Sequence, residues 1–388
     1  MIDVAIVGAG PAGCAAASIL AKRGYNVTIF EKEKLPRYKS CGGGVAIRCL
    51  KSLYQLGVNV ENVALQNYKG FIISYDEIKA KSDLGRTIGW GVFRKDFDFL
   101  LTQNAINNGA KLENLEITGV QNESDSVRLL MSNGDYIEAM IVLAADGIRS
   151  IVRDSIGIDY DSKKLGFCLE SDVKASTDII DTFDDLLHLD FTYLNKGYLW
   201  AFPKKEGNTI NFGAGGYLNF IQNSNFSLKE MLIQFARSYN ISINNDEIKG
   251  ALLPFGGTTD SFGKNNCLLL GDAAGLCSPL TGEGIPYALE SGIIAAGCVS
   301  NYLENRVPLV ESYSDLICPI AKEINIDALT LQHRLFGSSS HRRRIVEMCA
   351  NNDYLIDTIT KIFMHIIPYD EGVKRLSPLK VLASSFHH

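Results

Sequence analysis

The 388-residue sequence has no run of 18 or more consecutive apolar residues, so it offers no candidate for a membrane-spanning helix. Its first residues lack the positively charged start of a secretory leader, and the expected location is the cytoplasm. Positive charge is in short supply as well: 38 Lys and Arg face 44 Asp and Glu, for a formal net charge of -6. A nucleic-acid partner is therefore not expected, since such proteins carry a strong basic patch. The one basic run, HRRRI at 341–345, is short and reads as a solvated helix face. Nine cysteines are present, but none forms a CxxC pair, and Cys41 and Cys49 are the closest two. No metal site is expected, and the thiols read as reduced. Internal repeats, heptads and low-complexity stretches are also missing, and His387 and His388 read as a tag remnant.

What is present is a 46% hydrophobic, 21% charged composition, ordinary for a globular protein of about two or three domains. In MIDVAIVGAGPAGCAAASILAKRGYNVTIFEKEK, the apolar VAIV (4–7) reads as a buried parallel strand. PAGCAAASILAKRG has helical apolar spacing and stops at Gly24, and NVTIFE (26–31) reads as a second strand. Gly8, Gly10 and Gly13 form G-x-G-x-x-G between the first strand and the helix. Gly8 allows the tight turn, Gly10 lets a pyrophosphate approach the backbone, and Gly13 lets helix and strand pack closely. The free N–H groups at the helix start, around Pro11 and Ala12, suit phosphate. Glu31, followed by Lys32, ends the second strand 31 − 13 = 18 residues after the last glycine. There its carboxylate is placed to accept hydrogen bonds from an adenosine ribose.

An acid at this position suits FAD or NAD, and motifs further along bear on the choice. IVLAADGIRSIVR (141–153) runs a strand into Asp146 and Gly147, then into Ser150 and Arg153 at a helix start. NNCLLLGDAAGLCSPLTGEGIPYALESGIIAA (265–296) runs a strand into Gly271 and Asp272, then a loop with Gly282, then a helix starting near Gly284 and Ile285. Asp272 is placed to hydrogen-bond the ribityl chain of a flavin, and the N–H groups opening the helix to face its pyrimidine ring. VFRKDFDFLL (92–101) puts Arg94 just before an amphipathic helix, where a cation meets ribityl or phosphate oxygens. G-x-G-x-x-G first, D-G-x-x-S in the middle and GDAAG late resembles the FAD-dependent proteins of the p-hydroxybenzoate-hydroxylase fold. The resemblance covers all but the C-terminal tail.

PRYKSCGGGV (36–45) sets Cys41 directly before three glycines. Glycine loses the most backbone freedom on folding, so three in a row mark a place where backbone approaches something closely. With Pro36, Tyr38, Cys41, Gly42, Gly43 and Gly44, this stretch resembles the signature that runs into CGGG in the geranylgeranyl reductase family. GYLWAFPK (197–204), with Tyr198, Trp200, Phe202 and Pro203, is similar to the family's YxWxFP element, and SPLTGEGIPYALESG to its late glycine-rich loop. The resemblance implies reduction of isolated carbon–carbon double bonds in a prenyl chain by hydride transfer from N5 of reduced FAD. It also implies that Gly42, Gly43 and Gly44 lie against the isoalloxazine, with Cys41 at its reactive edge. Cys41 then either donates a proton, as a thiol of pKa about 8.5 can, or holds flavin and alkene in register.

Residues 160–260 read as strand-rich: FCLESDVKA, LLHLDFTYL, YLWAFP and TINFGAGGY lie between turn signals. Tyr198, Trp200 and Phe202 recur at period two and share a sheet face, where they wall an apolar tunnel. SLKEMLIQFARSY (227–239) reads as an amphipathic helix capped by Ser227. The expected fold is α/β. A Rossmann-like FAD-binding domain is drawn from residues 1–57, 89–159 and 261–304, with an inserted antiparallel β-sheet substrate domain at 160–260 and a helical C-terminal region at 305–388. Residues 58–88 connect, and their tip is expected to join the substrate sheet. DTITKIFMHIIP (357–368) has one apolar side, for a peripheral membrane contact or for ordinary docking. The expected substrate is a small hydrophobic molecule. No second G-x-G-x-x-G follows a strand, so the electron donor is NAD(P)H docking transiently, a ferredoxin or reductase partner, or a small reductant. An aromatic hydroxylase or halogenase on the same fold is the alternative, although the halogenase element WxWxIP is replaced here by YLWAFP. A non-catalytic flavin-bearing accessory protein is the third reading.

Overall fold

The computed structural model describes residues 1–223 and 227–377; His387 and His388 lie outside the described residues. The strand Ile2–Val7 pairs in parallel with Val27–Phe30 on one side and Tyr136–Ala144 on the other. Its last four residues are buried, as expected where helices cover both faces of a parallel sheet. Cys267–Leu269 and Lys111–Glu113 extend the parallel array, and the edge strand Gly263–Lys264 and an antiparallel flap, Ile117–Asn122 with Val127–Met131, complete eight strands. Helices Pro11–Lys22, Arg94–Asn107 and Ile285–Asn305 share the core of this sheet. The carboxyl ends of its central strands deliver Gly8, Glu31, Asp146 and Gly271 to one edge, the place where open α/β sheets bind ligands.

A second sheet has seven strands in the order Lys249–Pro254, Leu165–Lys174, Thr209–Tyr217, Gly197–Lys204, Leu186–Asp190, Gly70–Tyr75 and Ile78–Asp83. The last two come from the connecting segment after residue 58. They dock as a hairpin, and Gly70–Tyr75 runs parallel to Leu186–Asp190, the one departure from an antiparallel sheet. A tight hairpin forces antiparallel pairing, but the long chain between Tyr75 and Leu186 does not. A small third sheet, Gly44–Ala46 with Gly89–Val92 and Ala64–Tyr68, takes the end of the CGGG loop.

The period-two pattern sorts the second sheet's two faces. Leu199, Ala201 and Phe212 pack on the helix Leu228–Arg237, whose first N–H groups are capped by Ser227. Tyr198, Trp200, Phe202 and Cys168 face the opposite way, with Phe71, Leu187 and Leu189. The C-terminal helices cover part of that second face. Asp353–Phe363 buries Ile356, Ile359, Ile362 and Phe363, and Phe363 meets Phe71 edge-on at 6.0 Å. The apolar side, read as a peripheral membrane contact or as ordinary docking, is thus packed against the protein itself. Among the described residues no helix is long and apolar enough to cross a membrane.

Candidate active site

The strand ends of the first sheet and the aromatic face of the second enclose a cavity of about 560 Å3. Gly8, Gly10, Pro11 and Ala12 line it at one end, with Glu31 and Lys32 beside them. Asp146, Gly271, Asp272, Gly282, Gly284 and Ile285 line its middle, and Cys41 to Gly44, Arg94, Tyr198, Trp200 and Phe202 complete it. Gly13 lies outside the cavity. A Cβ there would stand 2.2 Å from the Gly8 carbonyl oxygen, so this glycine lets helix and strand touch. Pro203 is also absent from the cavity, contrary to its reading as a substrate residue. At an odd strand position it turns to the other face of the sheet, and its carbonyl accepts the Tyr68 hydroxyl at 2.9 Å.

Two features test whether a dinucleotide fits. A Cβ on Gly10 would meet nothing within 4 Å, and the helix that follows has no side-chain cap, so its first N–H groups open onto free space. Asp146 Oδ2 accepts the Val152 N–H at 3.3 Å, but its buried Oδ1 has no partner. Burial pushes this carboxyl up, and an unmet buried acceptor is costly, which a ligand hydroxyl would relieve. The residues present fit the group. Glu31 already accepts the N–H of Ala9 at 3.0 Å, the N–H of Glu33 at 3.1 Å and Arg37 at 3.2 Å. With about four lone-pair sites a carboxylate retains room for one further donor.

Arg94 lines the cavity and also pairs with an acid. Its guanidinium forks onto Asp98 at 2.8 and 2.9 Å and lies beside the Cys41 sulfur. Asp98 also takes Arg37 at 3.4 Å, so one buried acid ties two cations of the cavity wall together. The CGGG loop lines the cavity and also packs against the protein itself. A Cβ on Gly42 would stand 2.9 Å from the Phe202 ring and 3.1 Å from Trp200 Nε1, while Gly43 adopts φ +79° with the Val92 carbonyl oxygen 2.1 Å from its would-be Cβ. What approaches Gly42 closely is the protein's own aromatic wall.

A polar network centred on the buried Glu170 and Asn211, which sequence reasoning missed, seats that loop on the sheet. Tyr38 and Ser40 both donate to Glu170, the latter at 2.9 Å. Asn211 donates to Glu170 at 2.7 Å and to Asp172 at 3.1 Å, and Lys204 donates to Asp172 at 2.7 Å. Trp200 Nε1 closes the network on Asn211 at 2.7 Å, which fixes the indole plane. The available signal was the alternation of Cys168, Glu170 and Asp172 along Leu165–Lys174: two acids on the inward face of a strand. Glu283, between two predicted cofactor glycines, was also passed over although it lines the cavity.

The FAD binding domain family matches residues 1–191. An uncharacterised protein of Methanosarcina barkeri is 31% identical over 312 residues, covering 79% of this chain and 76% of that one. The digeranylgeranylglycerophospholipid reductase of Methanococcus vannielii is 29% identical over 321 residues, 78% of each chain. The crystal structure of a geranylgeranyl bacteriochlorophyll reductase-like protein from Thermoplasma acidophilum superposes with a TM-score of 0.79 at 23% identity, over 97% of this chain and 98% of that one. The chain belongs to the geranylgeranyl reductase family of FAD-dependent oxidoreductases. It is an enzyme, and FAD is its cofactor. The fold alone does not select this family's reaction, because solved flavin-dependent halogenases share it.

Proposed function

We propose that the protein reduces carbon–carbon double bonds of a prenyl group, geranylgeranyl in type. The observation that carries this reading is the wall facing Cys41. Trp200 and Phe202 continue into Phe71, Leu187, Phe363 and Met364, an apolar surface suited to a hydrocarbon chain. The relative from Methanococcus vannielii, named for a digeranylgeranyl lipid, supports the same substrate class.

Gly10, Pro11 and Ala12 would hold the pyrophosphate on the helix start, Glu31 the ribose, and Asp146 and Asp272 hydroxyls along the cofactor. The uncapped start of Ile285–Asn305, at Gly282 to Ile285, would meet the flavin end. When bound and reduced, FAD supplies the hydride. An unactivated alkene offers no oxygen to polarise, so the chain contributes position and dryness. Trp200, fixed by Asn211, and Phe202, seated on Gly42, hold the alkene against the loop. Cys41 keeps it in register. The external electron donor belongs to the NAD(P)H or ferredoxin class.

The test is anaerobic. The yellow protein is bleached with a reductant, and a geranylgeranyl lipid is added without oxygen. Return of the oxidised flavin spectrum supports the reading. Recovery only on admission of oxygen, with a hydroxylated or halogenated product, contradicts it.

A further inference from the structure

The late loop carries a residue that its glycines do not explain. Glu283 stands between Gly282 and Gly284, at the opening of Ile285–Asn305, and its side chain lines the cavity. It lies near Ala46, two residues beyond the CGGG loop, so the two glycine-rich segments meet across the site. Among the described residues it has no ion pair. The cation nearby, Arg48, is already engaged by Glu290 at 2.9 and 3.0 Å and by Glu323 at 2.7 Å.

Two carboxyls around this one arginine are driven apart. Burial alone would raise Glu323, but the hydrogen bond from His365 and the Arg48 charge outweigh it and bring it to about 2. Burial raises Glu283, Arg48 offsets that only in part, Glu290 and Glu323 add to the rise, and the carboxyl is pushed up to about 7. Such splitting separates a permanent anion from a group that exchanges its proton near neutral pH. The other titratable groups facing Glu283 are the thiols of Cys49 and Cys277 and the phenols of Tyr198 and Tyr369, all pushed up by burial and so kept neutral. The Cys41 sulfur accepts the Gly43 N–H at 3.4 Å and has the Arg94 guanidinium beside it.

We propose that Glu283 is the proton carrier of this cavity, giving its carboxyl proton to the alkene carbon that does not take the hydride and regaining one from solvent. The acceptor rests on the prenyl-reduction reading; the carrier role does not. In the step, the alkene π pair forms the new C–H bond to the Glu283 proton, and the O–H pair stays on the carboxylate. The hydride brings the pair for the second C–H bond. The cofactor, oxidised by two electrons, is re-reduced by an external nicotinamide or ferredoxin donor.

The test uses FAD-loaded protein and two readouts. Infrared spectra across pH should show a protonated-carboxyl C=O stretch in the wild type that fades around pH 7 and is missing in Glu283→Gln. Glutamine keeps the size of the side chain without its titrating proton, and an unchanged flavin spectrum checks that the variant is folded. With geranylgeranyl lipid, wild-type turnover should fall as pH rises through about 7. Glu283→Gln should lose at least tenfold in kcat with KM nearly unchanged, and should lose that pH dependence. A wild-type spectrum without a band titrating there, which needs no variant to observe, overturns the carrier role. So does a band that survives in Glu283→Gln, or a variant that turns over like wild type. If the band behaves as stated but no prenyl lipid is reduced, the carrier role stands and the function reading falls.

Discussion

At Gly10 an added Cβ would meet nothing within 4 Å, whereas at Gly42 it would stand 2.9 Å from the Phe202 ring. Both glycines belong to conspicuous glycine-rich loops lining the same cavity, and the sequence reading gave both the same meaning, backbone left bare for a cofactor. In the first loop that meaning fits, because Gly8 and Gly13 make protein contacts while Gly10 faces space. In the second, the space at Gly42 is filled by the protein's own Trp200 and Phe202. Glycine enrichment therefore marks close approach without saying what approaches. Only the surroundings divide a ligand cradle from a packing joint.

Substitutions can break or sharpen this contrast. The largest effect is expected from Gly13→Ala, whose methyl would press on the Gly8 backbone carbonyl, which cannot rotate away. Overpacking of this kind costs about 1–3 kcal/mol or more, and the purified variant should be colourless, read from flavin absorbance and the melting temperature. Next comes Cys41→Ala, which should keep its flavin yet lose at least tenfold in alkene reduction. Equal turnover would remove the thiol from the chemistry. Gly42→Ala should follow, destabilised by about 1–3 kcal/mol with several-fold lower turnover. Because its clash is with a side chain, Phe202→Leu in the same protein should restore stability, and failure to restore it would contradict the packing explanation. The smallest effect on folding belongs to Gly10→Ala. Apoprotein stability should stay within about 0.5 kcal/mol, while a flavin titration should show affinity lowered about tenfold.

The first sheet and its loops were legible because their signals are local. A strand, three glycines and an acid follow one another within 31 residues, and the fold brings them together with little help from elsewhere. Trp200 and Phe202 were legible for a similar reason, since period two survives in any sheet. Pro203 was misassigned because the motif was carried over whole, although strand alternation sends position 203 to the opposite face. The polar network was hidden because its members are far apart in sequence: Glu170, Asn211 and Lys204 meet only when three strands pair in one sheet, and Tyr38 only when the CGGG loop docks on it. Glu283 was hidden by its neighbours, as a charged residue framed by glycines reads as loop. The parallel entry of Gly70–Tyr75 beside Leu186–Asp190 had no local signature at all.

The most direct test of the account is mass spectrometry of a geranylgeranyl lipid incubated anaerobically with the reduced enzyme in deuterated water. The account predicts a product heavier by two hydrogens per reduced double bond, with solvent deuterium at the carbon protonated from the cavity. An unchanged lipid across several chain lengths, or a product that has gained oxygen or halogen once air is admitted, would contradict it.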